Sequence, residues 1–470
     1  MSNPKNKAIA VPTKQFFVSM LTRDIKLEDA ILDLLDNCLD GALRCANGNK
    51  VDYSKHWVSI TMNATSFQIE DNCGGIPRNV AVNYAFKMGR DADDKRDAQH
   101  ETIGMYGVGM KRAIFKMGST ATVTTLNSGD AFAVTIAPNW LKQKDWKPLP
   151  IKTLSKDKSL PEAGTRISVK SLYAGVSRHF VNASFANDLC NSISEHFTMF
   201  LQRGLRVEVN GKRIEPVRVE VLVDEAVSGP APYVYETTIE GVRVSITVGL
   251  NTGRGLVTDE DDPSEFERDR SAATAGWTVF CNDRAVIVGD KSRLTGWGDK
   301  MPLYHYQFSI ITGIVEFRSK NADKLPVTTT KRALDASSDI WLQALVKMKE
   351  GMRLWVNYTN TWKNHPRADQ TQYWKDAKAL PIRKVIELVA QRPTAKKSSG
   401  VLEFNPVKQK VMPDPPSKKP SSRRIVFSRP VEEIKVVSQA LFEREDEEPG
   451  IVGDKCFEIV LKQSEKGGRR

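Results

Sequence analysis

No stretch of this 470-residue chain reaches the roughly 18 consecutive apolar residues that cross a bilayer, so a membrane-spanning protein is not expected. Cysteine is scarce. The six residues, at positions 38, 45, 73, 190, 281 and 456, form no C-x-x-C pair, which argues against a disulfide framework and against a zinc site. The opening segment MSNPKNKAIAVPTKQ has no long apolar run followed by small residues, so it does not read as a secretory signal, and a cytoplasmic location is expected. Histidine is absent from the last 80 residues, which leaves little there to build a metal centre. What the chain has in excess is positive charge: Lys plus Arg exceed Asp plus Glu by 69 − 57 = +12. Such a balance favours an anionic partner, and equally serves solubility without one.

Length allows about three domains at roughly 150 residues each. Excess charge is uneven, because residues 393–424 carry eight basic side chains, two acidic ones and six prolines with no evident periodicity. That stretch reads as a flexible basic linker. Beyond it, Val431, Ile434, Val437 and Leu441 fall at helical spacing, and Lys455 to Gln463 suggests a second short element. Upstream, helix signals alternate with hairpins marked by turn chemistry, Asn127-Ser128-Gly129-Asp130 and Asn210-Gly211, which predicts an α+β layered fold. A helical pattern from about Phe180 to Gln202 leads into a second, strand-rich region ending near Asp335, and IWLQALVKMKEGMRLWVNY predicts a long helix. The expected division is 1–185, 186–350, a helical extension 351–392, the linker 393–424 and a small terminal module 425–470.

Three segments carry chemistry. In LEDAILDLLDNCLDGALR, Leu27, Ile31, Leu34, Leu35, Cys38 and Ala42 form one stripe of a helix, while Asp33, Asn37 and Asp40 form another, at i, i+4 and i+7. A helix packed on a sheet would present those three together; a solvated face is the plainer reading. In FQIEDNCGGIP a strand ends at Asp71, whose carboxylate can accept from an exocyclic amine, and Gly74 and Gly75 let a flat ligand approach the backbone. A capped tight turn would look the same. In ETIGMYGVGMKRAIFKMG, Gly104, Gly107 and Gly109 precede a helix, leaving N–H groups free for phosphate. No Lys-Ser/Thr follows and no strand precedes, so a P-loop and a Rossmann fingerprint are both disfavoured.

In this order and spacing the three segments resemble the GHKL ATPases, the family of the gyrase B subunit, the heat-shock chaperone, histidine kinases and MutL. A fourth element of that pattern, a Gly-Thr at a strand, is present as Gly164-Thr165. The resemblance implies a Bergerat-type ATP-binding domain, a two-layer α/β sandwich, with ATP and Mg2+ as ligands. It implies that Asp71 recognises adenine beside Gly75 and Thr165, that Asn37 holds magnesium, and that Asp40 belongs to the same site. Backbone around Gly104, Gly107, Val108, Gly109, Met110 and Lys111 would wrap the phosphates, with Phe86 to Ile103 as a lid. Asp33 stands where gyrase-type and MutL-type members carry a glutamate general base, one methylene shorter, so slow hydrolysis is expected. Cys73 replaces the first glycine of D-x-G-x-G.

The resemblance extends, more weakly, to the transducer domain of gyrase, MutL and MORC proteins. VFCNDRAVI looks like the F-V-N-x-R hairpin, and LPVTTTKRALD places Lys331 where transducers send a lysine to the terminal phosphate. No phospho-acceptor histidine precedes the acidic helix, no metal-binding tail follows, and the chain is too short for a topoisomerase cleavage domain. The layout therefore resembles a free-standing MORC-like or MutL-like clamp: a homodimer on ATP binding, contacting nucleic acid without sequence readout, with a separate effector subunit where other chemistry is needed. Chains of this kind resemble parts of genome-defence, antiviral or chromosome-maintenance systems. The alternative is a nucleotide-gated chaperone or interaction protein with little turnover.

Overall fold

The computed structural model describes residues 13–46, 51–91, 94, 96–155, 158–251, 275–328, 331–363, 365, 372–398, 400–415 and 425–467. Two units, residues 1–415 and 416–470, are each taken by themselves.

The first unit begins with helices α1 (Lys14–Arg23) and α2 (Leu27–Cys45), followed by strands β1 (Trp57–Met62) and β2 (Ser66–Asp71). A single helical turn α3 (Arg78–Val80) precedes α4 (Gly109–Met117), β3 (Gly118–Asn127), β4 (Asp130–Ile136), α5 (Pro138–Lys142), β5 (Ile151–Thr153) and β6 (Gly164–Leu172). Helices α6 (Ala174–Phe180), α7 (Ala183–His196) and α8 (Thr198–Gln202) carry the chain to β7 (Arg206–Val209) and β8 (Lys212–Arg213). These strands form one sheet in the order β5-β4-β3-β6-β2-β1-β7-β8, antiparallel except where β7 runs parallel to β1. Alternation along β1 and β2 buries Val58, Ile60, Met62, Phe67 and Ile69 on one face, where Ile31 and Leu35 of α2 and Ile114 of α4 complete the core. Helices over one face of a sheet give the two-layer sandwich.

Two of the expected boundaries move. β7 and β8 lie past residue 185, yet belong to this first sheet, because β7 pairs Trp57 to Arg206 and Ile60 to Val209. The helical pattern from Phe180 to Gln202 is the last residue of α6 followed by two helices, α7 and α8. It breaks at Asn182, whose side chain accepts from the Ser184 N–H as a cap, and again at Phe197. Both marked turns are hairpins: Ser128 and Gly129 connect β3 to β4 with positive φ, and Asn210 and Gly211 do the same between β7 and β8.

The second region contains β9 (Glu220–Val223), β10 (Tyr233–Ile239), β11 (Val242–Leu250), β12 (Gly276–Cys281), β13 (Arg284–Asp290) and β14 (Ile311–Arg318). Helix α9 (Asp339–Trp362), strand β15 (Lys378–Pro381), helix α10 (Ile382–Gln391) and strands β16 (Lys396–Ser398) and β17 (Val401–Phe404) follow. Seven strands order as β13-β12-β14-β11-β10-β17-β16, and β15 pairs with β9 separately. Helix α9 covers one face through Trp341, Met348, Met352 and Trp355, with the Trp355 indole donating to the Val248 carbonyl at 2.6 Å. Ile382, Val385 and Val389 of α10 pack on the other with Val234, Phe280 and Phe404. The segment expected to be linker from residue 393 thus begins as a hairpin on this sheet, since Val234 pairs with Phe404. Its short β16 is fully exposed, a Lys-bearing edge whose alternation is too brief to read. Residues 416–424 of that expected linker lie outside the described residues.

The second unit contains α11 (Val431–Phe442) and α12 (Pro449–Gly467), with Glu443 in the left-handed region at the end of α11. Ser438 and Val452 are its buried side chains among the described residues.

Candidate functional site

Helix α2 buries more than its apolar stripe. Asp33, Asp36 and Asp40 are each at most 3% exposed, whereas Asn37 is exposed and makes no side-chain hydrogen bond to any described residue. Asp33, Asn37 and Asp40 line a cavity of about 280 Å³, as their shared face predicts. The same cavity is lined by Asp71, Gly75, Gly104, Gly107, Val108, Gly109, Met110, Lys111, Thr165 and Lys331, so every candidate residue is brought to one place. Their sequence positions span 298 residues.

The floor is the turn after β2. Asp71 accepts the Cys73 N–H at 2.7 Å, and burial pushes its carboxyl up to about 6. The turn is pinned from the sheet: Ile76 N–H donates to the Thr125 hydroxyl at 2.7 Å, and the Asn127 amide donates to the Gly74 carbonyl at 2.7 Å. Gly75 has φ +72, and a Cβ there would stand 2.2 Å from the Leu126 carbonyl oxygen. Gly164, opening β6, lies closer still, since its Cβ would fall 1.9 Å from the Asp71 carbonyl oxygen. Only hydrogen fits at either point. Cys73, in place of a glycine, is buried with its thiol pushed well up by burial.

The opposite wall is the glycine-rich loop. Asp40 accepts from the Ile103 and Gly104 N–H groups, both at 2.8 Å, so this side chain holds the stem of the loop. Burial pushes Asp40 up to about 6 as well. Gly107 takes φ +62, and α4 starts two residues later with no side-chain cap at Val108. The first N–H groups of α4 therefore lack intrahelical acceptors and open on the cavity, an arrangement suited to phosphate oxygens. Lys111 folds back: its ammonium donates to the Ala85 carbonyl at 3.0 Å and to the Gly107 carbonyl, and burial lowers it to about 7. It therefore braces the loop in this conformation.

Charge concentrates where the loop meets α2. Asp33 pairs with Arg112 of α4 and lies 3.6 Å from the Lys331 ammonium. Lys331 reaches the cavity from the loop beyond β14 and sits 2.9 Å from Asp36, which also accepts from Arg284 at 3.0 Å. Asp36 and Arg112 carry no mark in the sequence, because their partners lie far along the chain; Arg284 is the arginine of the F-V-N-x-R-like stretch, but nothing local shows that it pairs with Asp36. Arg44, Arg90 and Arg96 also line the cavity, paired with Asp94 and Asp97, so its rim is cationic. No group of three or more His, Cys, Asp or Glu suits a metal among the described residues. Asn37 supplies a single open carboxamide, which fits an ion such as Mg2+ that takes most of its ligands from phosphate and water.

Gly164→Ala should force the Asp71 strand end aside and cost about 1–3 kcal/mol of stability, measured by denaturant unfolding; an unchanged midpoint would show that the turn has slack.

No curated protein matches the chain. Residues 25–165 match the family model described as histidine kinase-, DNA gyrase B-, and HSP90-like ATPase, and this segment is a GHKL-type ATPase domain.

Proposed function

We propose that the protein binds and slowly hydrolyses ATP in this cavity, and uses the nucleotide to close a homodimeric clamp on nucleic acid. The observation that carries the reading is the convergence of Asp71, Asn37, Asp33, the α4 N-terminus and Lys331 on one cavity. Asp71 accepts from the exocyclic amine of adenine, and the close backbone packing at Gly75 and Gly164 fixes the turn that carries this carboxylate. Backbone N–H groups from Gly107 to Lys111 receive phosphate oxygens, with the helix dipole favouring their charge. Asn37 holds Mg2+, which screens phosphate charge when bound. Asp33 orients the attacking water and accepts its proton, and Lys331 meets the terminal phosphate.

One geometric fact bears on rate. The Asp33 carboxylate already accepts from Arg112 at one oxygen and has the Lys331 ammonium 3.6 Å from the other, two cations that stabilise its negative charge and weaken it as a base. This favours slow turnover, and it gives the alternative, a nucleotide-gated interaction protein, a specific basis. Wild type should release phosphate above background, Asp33→Asn should slow release about 100-fold while keeping ATP affinity, and Asp71→Asn should lose ATP. Wild type and Asp33→Asn both at background, with ATP still raising the melting temperature, would transfer the proposal to the alternative. Retained affinity in Asp71→Asn would remove adenine from this turn.

A pH dependence follows from the Asp71 environment. Its carboxyl, pushed up to about 6, is an acceptor above that pH and protonated below it, so ATP affinity should fall as pH drops through 6. The decline should approach about tenfold per pH unit for one proton. Calorimetric titration between pH 5 and 8 reads it, and a flat profile would mean that the amine is not recognised by this carboxylate.

The clamp takes its support from the +12 net charge, and its contact with nucleic acid is through phosphates. Duplex affinity should fall steeply as salt rises. A response that stays level from low to moderate ionic strength would remove nucleic acid from the function.

A further inference from the structure

Asp36 stands apart from the other carboxylates of α2. It is fully buried and does not line the cavity, and its two oxygens are divided between cations of the second sheet region: Oδ1 accepts from Arg284 Nε at 3.0 Å and Oδ2 from Lys331 Nζ at 2.9 Å. Arg284 opens β13 directly after the Asn282-Asp283 turn, is 2% exposed, and lies 4.2 Å over the Phe197 ring while its Nη1 donates to the Ala285 carbonyl at 2.9 Å. A guanidinium stacked, bonded and buried in this way has little freedom, so it fixes Asp36 in turn. Lys331 is held at the other end of the same carboxylate, with its backbone in the left-handed region at φ +56. Unlike Lys300 and Lys410, which share that conformation at exposed positions, Lys331 is buried, with its ammonium bonded to Asp36.

The charge count gives the arrangement a direction. Arg112, Arg284 and Lys331 supply three positive charges and Asp33 and Asp36 two negative ones, so the cluster carries 3 − 2 = +1, and of its members Asp33, Arg112 and Lys331 line the cavity. Lys331 is the member that both lines the cavity and contacts Asp36. Its ammonium has three protons; Asp36 takes one and Asp33 lies near a second. A terminal phosphate can take the remaining donor without breaking the pair. Were Lys331 unsupported, its four-carbon stem would have to be ordered each time a phosphate arrived.

We infer that Asp36 and Arg284 are positioning residues for Lys331, and that through this relay the protein distinguishes a nucleoside triphosphate from a diphosphate. The inference rests on the ATP-site reading above. Neither residue touches nucleotide; Arg284 orients Asp36, and Asp36 orients the ammonium.

The test compares ADP and a nonhydrolysable ATP analogue by calorimetry on the full chain. Wild type should prefer the triphosphate, and Lys331→Met should reduce that preference at least tenfold. Asp36→Asn and Arg284→Met should each reduce it by a similar factor with ADP affinity within threefold of wild type, and Arg284→Lys should restore part of it. In a Lys331→Met background, Asp36→Asn should cause no further loss, because both act through one ammonium. ADP binding doubles as the check on folding, and if Asp36→Asn fails to fold, Arg284→Met decides alone. Preference retained in a variant that binds ADP, or both affinities lost equally in Arg284→Met, overturns the relay. A wild type that binds neither nucleotide sinks the ATP-site reading itself, which is a different result.

Discussion

The structure depends on five charges buried between α2, α4 and the second region: Asp33 and Asp36 against Arg112, Arg284 and Lys331. Removing charges from water is costly, and a buried pair is commonly no better than apolar side chains of the same volume. What an ionic contact adds is direction and discrimination, because each carboxylate oxygen accepts from a defined donor. The arrangement also lowers Asp36 and raises Lys331 from their ordinary values: burial opposes both charges, and their mutual attraction, with Arg284 and Asp33, overcomes it.

The contacts between the two sheet regions follow from that cluster. The β12–β13 turn places Asn282 so that its amide donates to the Thr102 carbonyl at 2.8 Å, one residue before the N–H groups that Asp40 receives. Asp283 in the same turn collects Arg203, Arg318 and Arg383, and burial is outweighed by these three cations, which hold its carboxyl down to about 2. Arg318 also reaches Glu101 at 3.2 Å. One hairpin thus grips the stem of the glycine-rich loop and, through Arg284, the helix on the other side of the cavity. A shift of the second region would move both walls together.

Much of this was legible in the chain because the decisive signals were local. Stripe and counter-stripe on α2, the acid-then-glycine turn after β2 and the glycines before α4 are set by residues within a few turns of each other, where periodicity and backbone sterics act directly. The partners of Asp36 were not legible, since Arg284 and Lys331 lie 248 and 295 residues away and an aspartate on a helix carries no mark of its counter-ion. The same holds for β7, whose four residues join β1 in parallel after the chain has passed through the rest of the first sheet. For β16 and β17 the prolines and lysines nearby spoke for linker, while the pairing of Phe404 with Val234 is a tertiary fact. Local propensity lost there to an available sheet edge.

The two carboxyls that border the cavity from opposite sides share a property that the cluster lacks. Asp71 and Asp40 are buried near no cation strong enough to offset desolvation, and both are pushed up to about 6; Asp36, equally buried, goes the other way because two cations touch it. Burial alone therefore does not set the character of an acid here; the partner does. At the turn the partner is a backbone N–H and at the loop stem two of them, neutral donors that leave each carboxylate responsive to protons. At the junction with the second region the partners are cations that keep the carboxylate ionised through the same range. The cavity is thus bordered by groups that respond to solution conditions at the turn and loop stem, and by groups insulated from them where Lys331 enters, so the second region meets the cavity through a contact that mild acid does not dissolve.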